Sequence, residues 1–540
     1  MSQRMQYLRP NVVIEPLVNR WYAWSHLISP ATAALNILDR HLAIIESYMM
    51  APEIHAQAVI NPKMRGGPFM DLGGRRVEEV RQLHAGTLTR QADMIELAKA
   101  IKELDKLLVT EAKGFSMESV YSRIPEILKG YVELFYDRNN CPGFRFFEAL
   151  LYKSKYYKND TQSIALWLTN NDHRPFCLST PRLDDEHVLH LPIPFDHPGI
   201  DEISKMKRVP QDISVVKSLL GVLPQQEEIF NSFFTPDKPG TYQRYVGDKI
   251  RMRYFGHACI LIETKEVSVL VDPLISYYGY HSDIAHFSDV DLPDIIDYVL
   301  ITHNHQDHIL FETLLPLRHK IRNIIVPATC SGRLEDPDLK LMFNKIGFDN
   351  VFSLAEMERI SFGEVQITAL PFIGEHSDLN ILTKACYLLQ IASFKLLFLA
   401  DSRILESRLY RHIHDETGDT DVMFLGMECD GAPLSWLYGP LMTKKLPRDM
   451  DSSRRLSGSD CAKGIELVKI FHPKETYVYA MGQEPWVEFI SSIKYTDESN
   501  PIVQSNELIK ICRQMGITAE RLFGEKELLY GKERKTADIL

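Results

Sequence analysis

The spacing of apolar residues changes character along the chain. In the first half, "ATAALNILDRHLAIIESYMM" and "ADMIELAKAIKELDKLLV" carry apolar side chains every three or four positions, the spacing of helices with one buried face. "MESVYSRIPEILKGYVELFYD" reads as a further helix, with Pro125 a break inside it. From Asn159 the spacing shortens, and "TQSIALWLTN" and "PFCLSTPRLDDEHVLHLPIPF" read as short strands between turn residues. Residues 1–245 are therefore expected to form one mixed α+β domain.

Near Gly247 a second pattern begins. "KIRMRYFGHACILIET" and "VSVLVDPLI" read as two strands joined by "KE", and "DYVLITHNH" as a buried strand. "RNIIVPAT", "VQITALPFIG", "ACYLLQIASFKLLFLAD" and "DVMFLGMECD" continue the pattern, while "FETLLPLRHK" and "NELIKICRQMGI" read as helices. Polar residues wait at the strand ends. Residues 246–540 are thus expected to form a layered α/β domain with its site along one rim.

Bulk properties narrow the setting. A chain of 540 residues exceeds what one core organises. A net charge of −11 speaks against a nucleic-acid partner. The 8 cysteines form no C-x-x-C pair and read as reduced, buried thiols. No opening segment has signal-peptide order, and no run approaches the ~20 apolar residues that span a bilayer. The expectation is a soluble, cytoplasmic protein with no membrane partner.

The candidate chemistry sits in "VLITHNHQDHIL", which places His303, His305, Asp307 and His308 directly after an apolar strand. His303 and His305 alternate, so on an extended segment they point the same way. Asp307 and His308 follow as the chain turns and can begin a second position beside the first. Chance histidines in a polar turn would account for one such residue, but poorly for the whole pattern.

"THNHQDH", with the preceding "FGHACILIET" and "VLVDPL", resembles the metallo-β-lactamase superfamily over about Gly247 to Trp486. That resemblance implies an αββα sandwich with a two-metal site on one edge. The superfamily completes the site with a third ligand, a bridging aspartate and a final histidine. The third ligand falls in "PFIGEHSD", where Glu375 and His376 are adjacent candidates. The bridge falls on Asp401, which ends the apolar "FKLLFLAD" and could otherwise cap a helix. The final histidine has no clear match: "ETYVYAMGQEPW" offers Met481 and Gln483, and His472 lies upstream.

A carboxylate in place of a histidine favours iron and O₂ chemistry over zinc. The chain resembles, in layout over its whole length, the diiron aminoacyl β-hydroxylases of nonribosomal peptide synthesis, the type known from chloramphenicol biosynthesis. Carried over by position, the resemblance implies metal ligands His303, His305, Asp307, His308, Glu375 and Asp401. It also implies Glu428 of "GMECDGAP" close to the cluster. His257 and Asp272 end the opening strands, where His257 is expected to line the pocket and Asp272 to brace a ligand histidine or cap a turn. Two Fe ions with O₂ and an external reductant would then hydroxylate the β-carbon of an amino acid tethered to a peptidyl carrier domain. An electron donor and a homodimer are implied partners. The alternative is a dinuclear zinc hydrolase, lactonase- or phosphodiesterase-like, using two Zn ions and with His376 in the place of Glu375. The basic segment Met442–Asp460, with Lys444, Lys445, Arg454 and Arg455, is either a docking surface for an acidic carrier or a solvated loop.

Overall fold

A computed structural model describes residues 5–240, 242–278 and 283–532. Its C-terminal part is built on two seven-stranded sheets. In the first sheet the strands run in the order Val351–Leu354, Ile324–Pro327, Tyr298–Leu300, Ser268–Val271, Cys259–Glu263, Ile250–Gly256 and Lys526–Tyr530. In the second the order is Arg359–Phe362, Val365–Leu370, Cys386–Ile391, Phe394–Phe398, Val422–Gly426, Glu475–Tyr479 and Thr518–Arg521. The sheets meet face to face across Met252, Tyr254, Ile260, Val271, Leu300, Tyr387, Leu396, Phe398, Phe424 and Tyr479, all buried.

Alternate residues of the same strands serve the outer layers. Leu388, Leu397, Met423, Leu425 and Val478 pack beneath the helices Ser407–Thr417, Cys461–Phe471 and Asn500–Gln514. On the other side, Leu261, Leu270, Val299, Ile324 and Val326 join one continuous core with Leu8, Val12, Trp21, Leu97 and Leu104 of the N-terminal part. The N-terminal domain therefore occupies part of the outer layer of the first sheet. Among the described residues no helix is long and apolar enough to cross a membrane.

The N-terminal part is mixed α+β as expected, but several of its elements differ from the reading above. The strands Val12–Val18, Gln162–Leu168 and Leu189–Leu191 belong to one small sheet. The segment after Pro125 is a single turn, Glu126–Leu128, followed by a hairpin of Val132–Tyr136 with Pro142–Phe146. Gly130, at φ +80°, ends the turn, and Val132 and Leu134 are buried in strand-like alternation. Most of "PFCLSTPRLDDEHVLHLPIPF" is irregular, with only Leu189–Leu191 in a strand. "KIRMRYFGHACILIET" holds two strands, not one, and His257 turns the chain between them at φ +50°.

That left-handed turn is one of several. His257, Asp272, Glu375, Ala400 and Ala480 all have positive φ at or near strand ends on the same rim. Non-glycine residues in this region cost roughly 1 kcal/mol or more each and gather where the surrounding structure enforces a function.

Candidate metal centre

The strand Tyr298–Leu300 delivers the histidine cluster to that rim. His303 and His308 lie tilted against each other at 4.0 Å between ring centroids, and both are fully buried. His308 is held at both ends: Nδ1 lies 2.8 Å from Asp272 Oδ2, and Nε2 lies 3.0 Å from Asp401 Oδ2. The same Asp401 oxygen is 3.7 Å from His303 Nε2, so it stands between the two imidazoles. Asp401 caps no helix. The next one, Ser407–Thr417, is capped by Glu406, which accepts from Leu409 N at 3.1 Å.

Glu375 reaches the cluster from the loop after Val365–Leu370. Its Oε1 is 3.0 Å from His305 Nδ1 and its Oε2 is 4.0 Å from His303 Nε2. His376 stacks on His305 at 4.7 Å, with Nδ1 3.2 Å from Glu375 Oε2. Ligand atoms of His303, His305 and Glu375 lie within 4.8 Å of one another, as do those of His303, His308 and Asp401, and those of His257, Asp307 and His308. His257 Nδ1 accepts from Gly482 N at 3.1 Å, which leaves its proton on Nε2, 3.3 Å from Asp307 Oδ2. His257 therefore presents a donor to Asp307, not a lone pair to a cation.

Electrostatics follow from this crowding. Burial pushes the Asp307 carboxyl up, but the hydrogen bond from His257 and the charge of His308 outweigh it and hold it well below the usual range. Glu428 moves strongly the other way, through burial and the carboxylates of Asp307, Asp401 and Glu375 around it. Glu375 is also raised, by burial against the pull of His305.

His303 Nε2, Glu375 Oε2 and Asp401 Oδ1 are buried and have no hydrogen-bond partner. Converging lone pairs left unsatisfied inside a protein are costly, and a bound cation is the simple remedy. Imidazole nitrogens mixed with several carboxylate oxygens fit iron better than the nitrogen-rich shells of hydrolytic zinc.

Other nominated residues lie elsewhere. Met481 is packed in the outer core beneath the helices. His472 ends the helix Cys461–Phe471 at φ +45° and pairs with Asp419 at 3.1 Å. In the basic segment, Arg454 donates to Ser377 O at 3.0 Å and Arg455 to Gly431 O at 2.7 Å, while Lys444 and Lys445 are exposed. Two neighbours of the cluster escaped the sequence reading. Thr302 donates to Asp272 Oδ2 at 2.6 Å and lies 3.0 Å from His303 Nδ1. Tyr438 OH lies 2.9 Å from His305 Nε2. Thr302 adjoins the motif and was open to inspection, whereas nothing in "PLSWLYGP" marks Tyr438.

Comparison with known proteins identifies the family. Residues 7–239 match the family described as the diiron non-heme β-hydroxylase N-terminal domain, and residues 268–432 match a β-lactamase superfamily domain. The chain is 36% identical to the 4-amino-L-phenylalanyl-[CmlP-peptidyl-carrier-protein] 3-hydroxylase of Streptomyces venezuelae, over 96% of this chain and 98% of the relative. It is similar to the crystal structure of CmlA, a diiron β-hydroxylase from Streptomyces venezuelae, with a TM-score of 0.92 and 35% identity, covering 97% of this chain and 99% of that one. A fused N-terminal domain of this kind, a β-lactamase-type sandwich and a carboxylate-rich rim place the chain in the family of non-haem diiron β-hydroxylases.

Proposed function

We propose that the protein hydroxylates the β-carbon of an amino acid carried as a thioester on the arm of a peptidyl carrier domain. The observation that carries this reading is the set of buried, unpartnered ligand atoms His303 Nε2, Glu375 Oε2 and Asp401 Oδ1. His303, His305 and Glu375 would hold one iron and Asp307 and His308 the other, with Asp401 between them. Bound there, the iron pair supplies O₂ reduction: one oxygen atom enters the C–H bond, and the other leaves as water with two electrons and two protons from an external donor.

The chain's own residues orient and protect that centre. Asp272 and Thr302 fix His308 and His303 from behind. His257 steadies Asp307 with its Nε2 proton. Burial and the carboxylates near it push the Glu428 acid up, which favours the protonated form that can donate a hydrogen bond at the rim. In this reading residues 1–245 serve dimerisation and carrier docking, and residues 246–540 the chemistry. Met50, Ile54 and Ile60, 80%, 60% and 80% exposed, offer the N-terminal domain an apolar contact surface. Exposed Lys444 and Lys445 suit an acidic carrier. The free cysteines, with Cys141 and Cys330 exposed, suit a reducing cytoplasm.

Metal analysis of protein purified without added metal tests the reading. Near two irons per chain, with O₂ uptake on an aminoacyl-loaded carrier, is expected. Two zinc ions with ester or phosphodiester turnover and no O₂ uptake would overturn it. Glu375→Ala is expected to lose iron, and His376→Ala to retain it.

A further inference from the structure

A histidine can ligate through either ring nitrogen, and the group on its other nitrogen decides which. His303 and His308 resolve this simply. Each has Nδ1 engaged from behind, by Thr302 and by Asp272 respectively, and each turns Nε2 toward Asp401. His305 is reversed. Its Nδ1 faces Glu375 Oε1 at 3.0 Å, and its Nε2 faces away, 2.9 Å from the hydroxyl of Tyr438. Tyr438 lies 133 residues downstream and is 1% exposed.

The helix that carries Tyr438 is only Leu434–Tyr438, and one so short cannot fix a side chain unaided. It is clamped from outside. At its start, Asp451 accepts from Ser435 N at 2.8 Å and from Ser435 Oγ at 2.7 Å. At its end, the carbonyls of Trp436 and Leu437 have no partner within the helix. Both are taken by the buried guanidinium of Arg40, at 3.0 and 2.8 Å, from the N-terminal domain. Trp436 Nε1 donates to Gly66 O of the same domain at 2.9 Å.

We propose that Tyr438 is a positioning residue for the metal centre. Its hydroxyl oxygen accepts the Nε2 proton of His305, which leaves the Nδ1 lone pair free beside Glu375, and Arg40 holds it in place from the N-terminal domain. This rests on the reading of His305 as a ligand. It also gives the fused domain a part in building the centre, since a carbonyl-binding arginine from one domain fixes a ligand histidine in the other.

Cobalt(II), whose visible d–d bands report its ligand field, is the probe, applied to the full chain after iron removal. The parent is expected to bind two Co(II) ions, and His305→Ala to lose one of them. Tyr438→Phe is expected to keep its fold, weaken one Co(II) site by roughly 10–100-fold in chelator competition, and shift its bands. Arg40→Met, which leaves the hydroxyl present but its helix loosely held, is expected to shift the same bands by less. Tyr48→Phe removes another buried tyrosine hydroxyl, bonded to Arg75 O at 2.6 Å in the N-terminal domain, and is expected to leave affinity and bands at parent values. If Tyr438→Phe and Arg40→Met both bind and absorb as the parent does while His305→Ala loses an ion, the positioning role is wrong and the ligand reading stands. If His305→Ala binds as the parent does, both fall.

Discussion

Asp272 and His308 form a buried pair, Oδ2 to Nδ1 at 2.8 Å, directly behind the point where His308 faces Asp401. The carboxylate also accepts from Thr302 N at 2.8 Å and Thr302 Oγ1 at 2.6 Å, so a single side chain fixes the turn and the tautomer of His308. Asp272→Asn keeps the shape but puts an NH₂ where an acceptor is needed. Its expected cost is about 1–3 kcal/mol of stability in the metal-free chain and roughly 10–100-fold in iron affinity. Thermal unfolding of metal-free protein and iron content after dialysis check the two effects. A variant that retains its iron like the parent would show that His308 is oriented by other means.

Gly426 gives Asp401 its room. A Cβ at that position would sit 2.5 Å from Asp401 Oδ1 and 2.6 Å from Ala400 O, closer than packed atoms allow. The backbone oxygen cannot swing aside, so Gly426→Ala must move Asp401. The expected result is a destabilisation of about 1–3 kcal/mol and loss of at least one iron per chain. Metal analysis of the folded variant checks it, and two tightly held irons would refute the steric argument.

The helix Phe311–Leu317 begins three residues after His308, and a buried ion cluster ties it to the N-terminal domain. Arg174 donates to both Glu312 oxygens at 2.9 and 2.8 Å and to Glu15 Oε1 at 2.7 Å, and its guanidinium lies 3.7 Å from the Phe489 ring centroid. Arg182 holds the rest of Glu15, and Tyr277 donates to Glu312 at 2.7 Å. Removing Arg174 strands the buried Glu312 carboxylate and leaves Glu15 with Arg182 alone. Arg174→Met is expected to cost about 3–5 kcal/mol, read as a large fall in the unfolding midpoint. Adding Glu312→Gln should recover part of the loss, because Glu15 keeps Arg182 and no buried carboxylate is then left without a cation.

How much of this was legible in sequence depended on distance along the chain. The sandwich strands announced themselves because each is apolar for most of its length and ends in a polar residue with work to do, as at Asp272, His303 and Asp401. The cluster was legible because its members lie within six positions. Glu375 and Asp401 needed a family resemblance to be singled out. The hairpin Val132–Tyr136 was misread because Val132, Phe135 and Tyr136 also fit helical spacing; the deciding signals were Gly130 and the alternate burial of Val132 and Leu134. Tyr438, Arg40 and the Arg174 cluster were out of reach. Tyr438 meets His305 through folding of the sandwich across 133 residues, and Arg40 and Arg174 reach it by docking of the two domains across 397 and 138 residues; nothing local marks them.

Glu148 makes the interdomain contact sensitive to pH. It is 8% exposed, accepts from Ser29 Oγ at 3.2 Å in the N-terminal domain, and accepts from Asp338 N at 3.1 Å, at the cap of the sandwich helix Leu339–Lys345. Burial, with help from the nearby Asp338 carboxylate, pushes its acid up to about 8. In the unfolded chain a glutamate ionises near pH ~4.3. Between those values the folded chain holds a proton that the unfolded chain has released, so stability falls as pH rises, by up to about 1.4 kcal/mol per pH unit from this group. The contribution is whole below about pH 4 and lost above about pH 8. Glu148→Gln cannot ionise and keeps an acceptor for Asp338 N. Its unfolding midpoint is expected to lie near the parent's at pH 5 and progressively above it toward pH 8.5. Parallel midpoints across that range would show that Glu148 stays ionised in the fold.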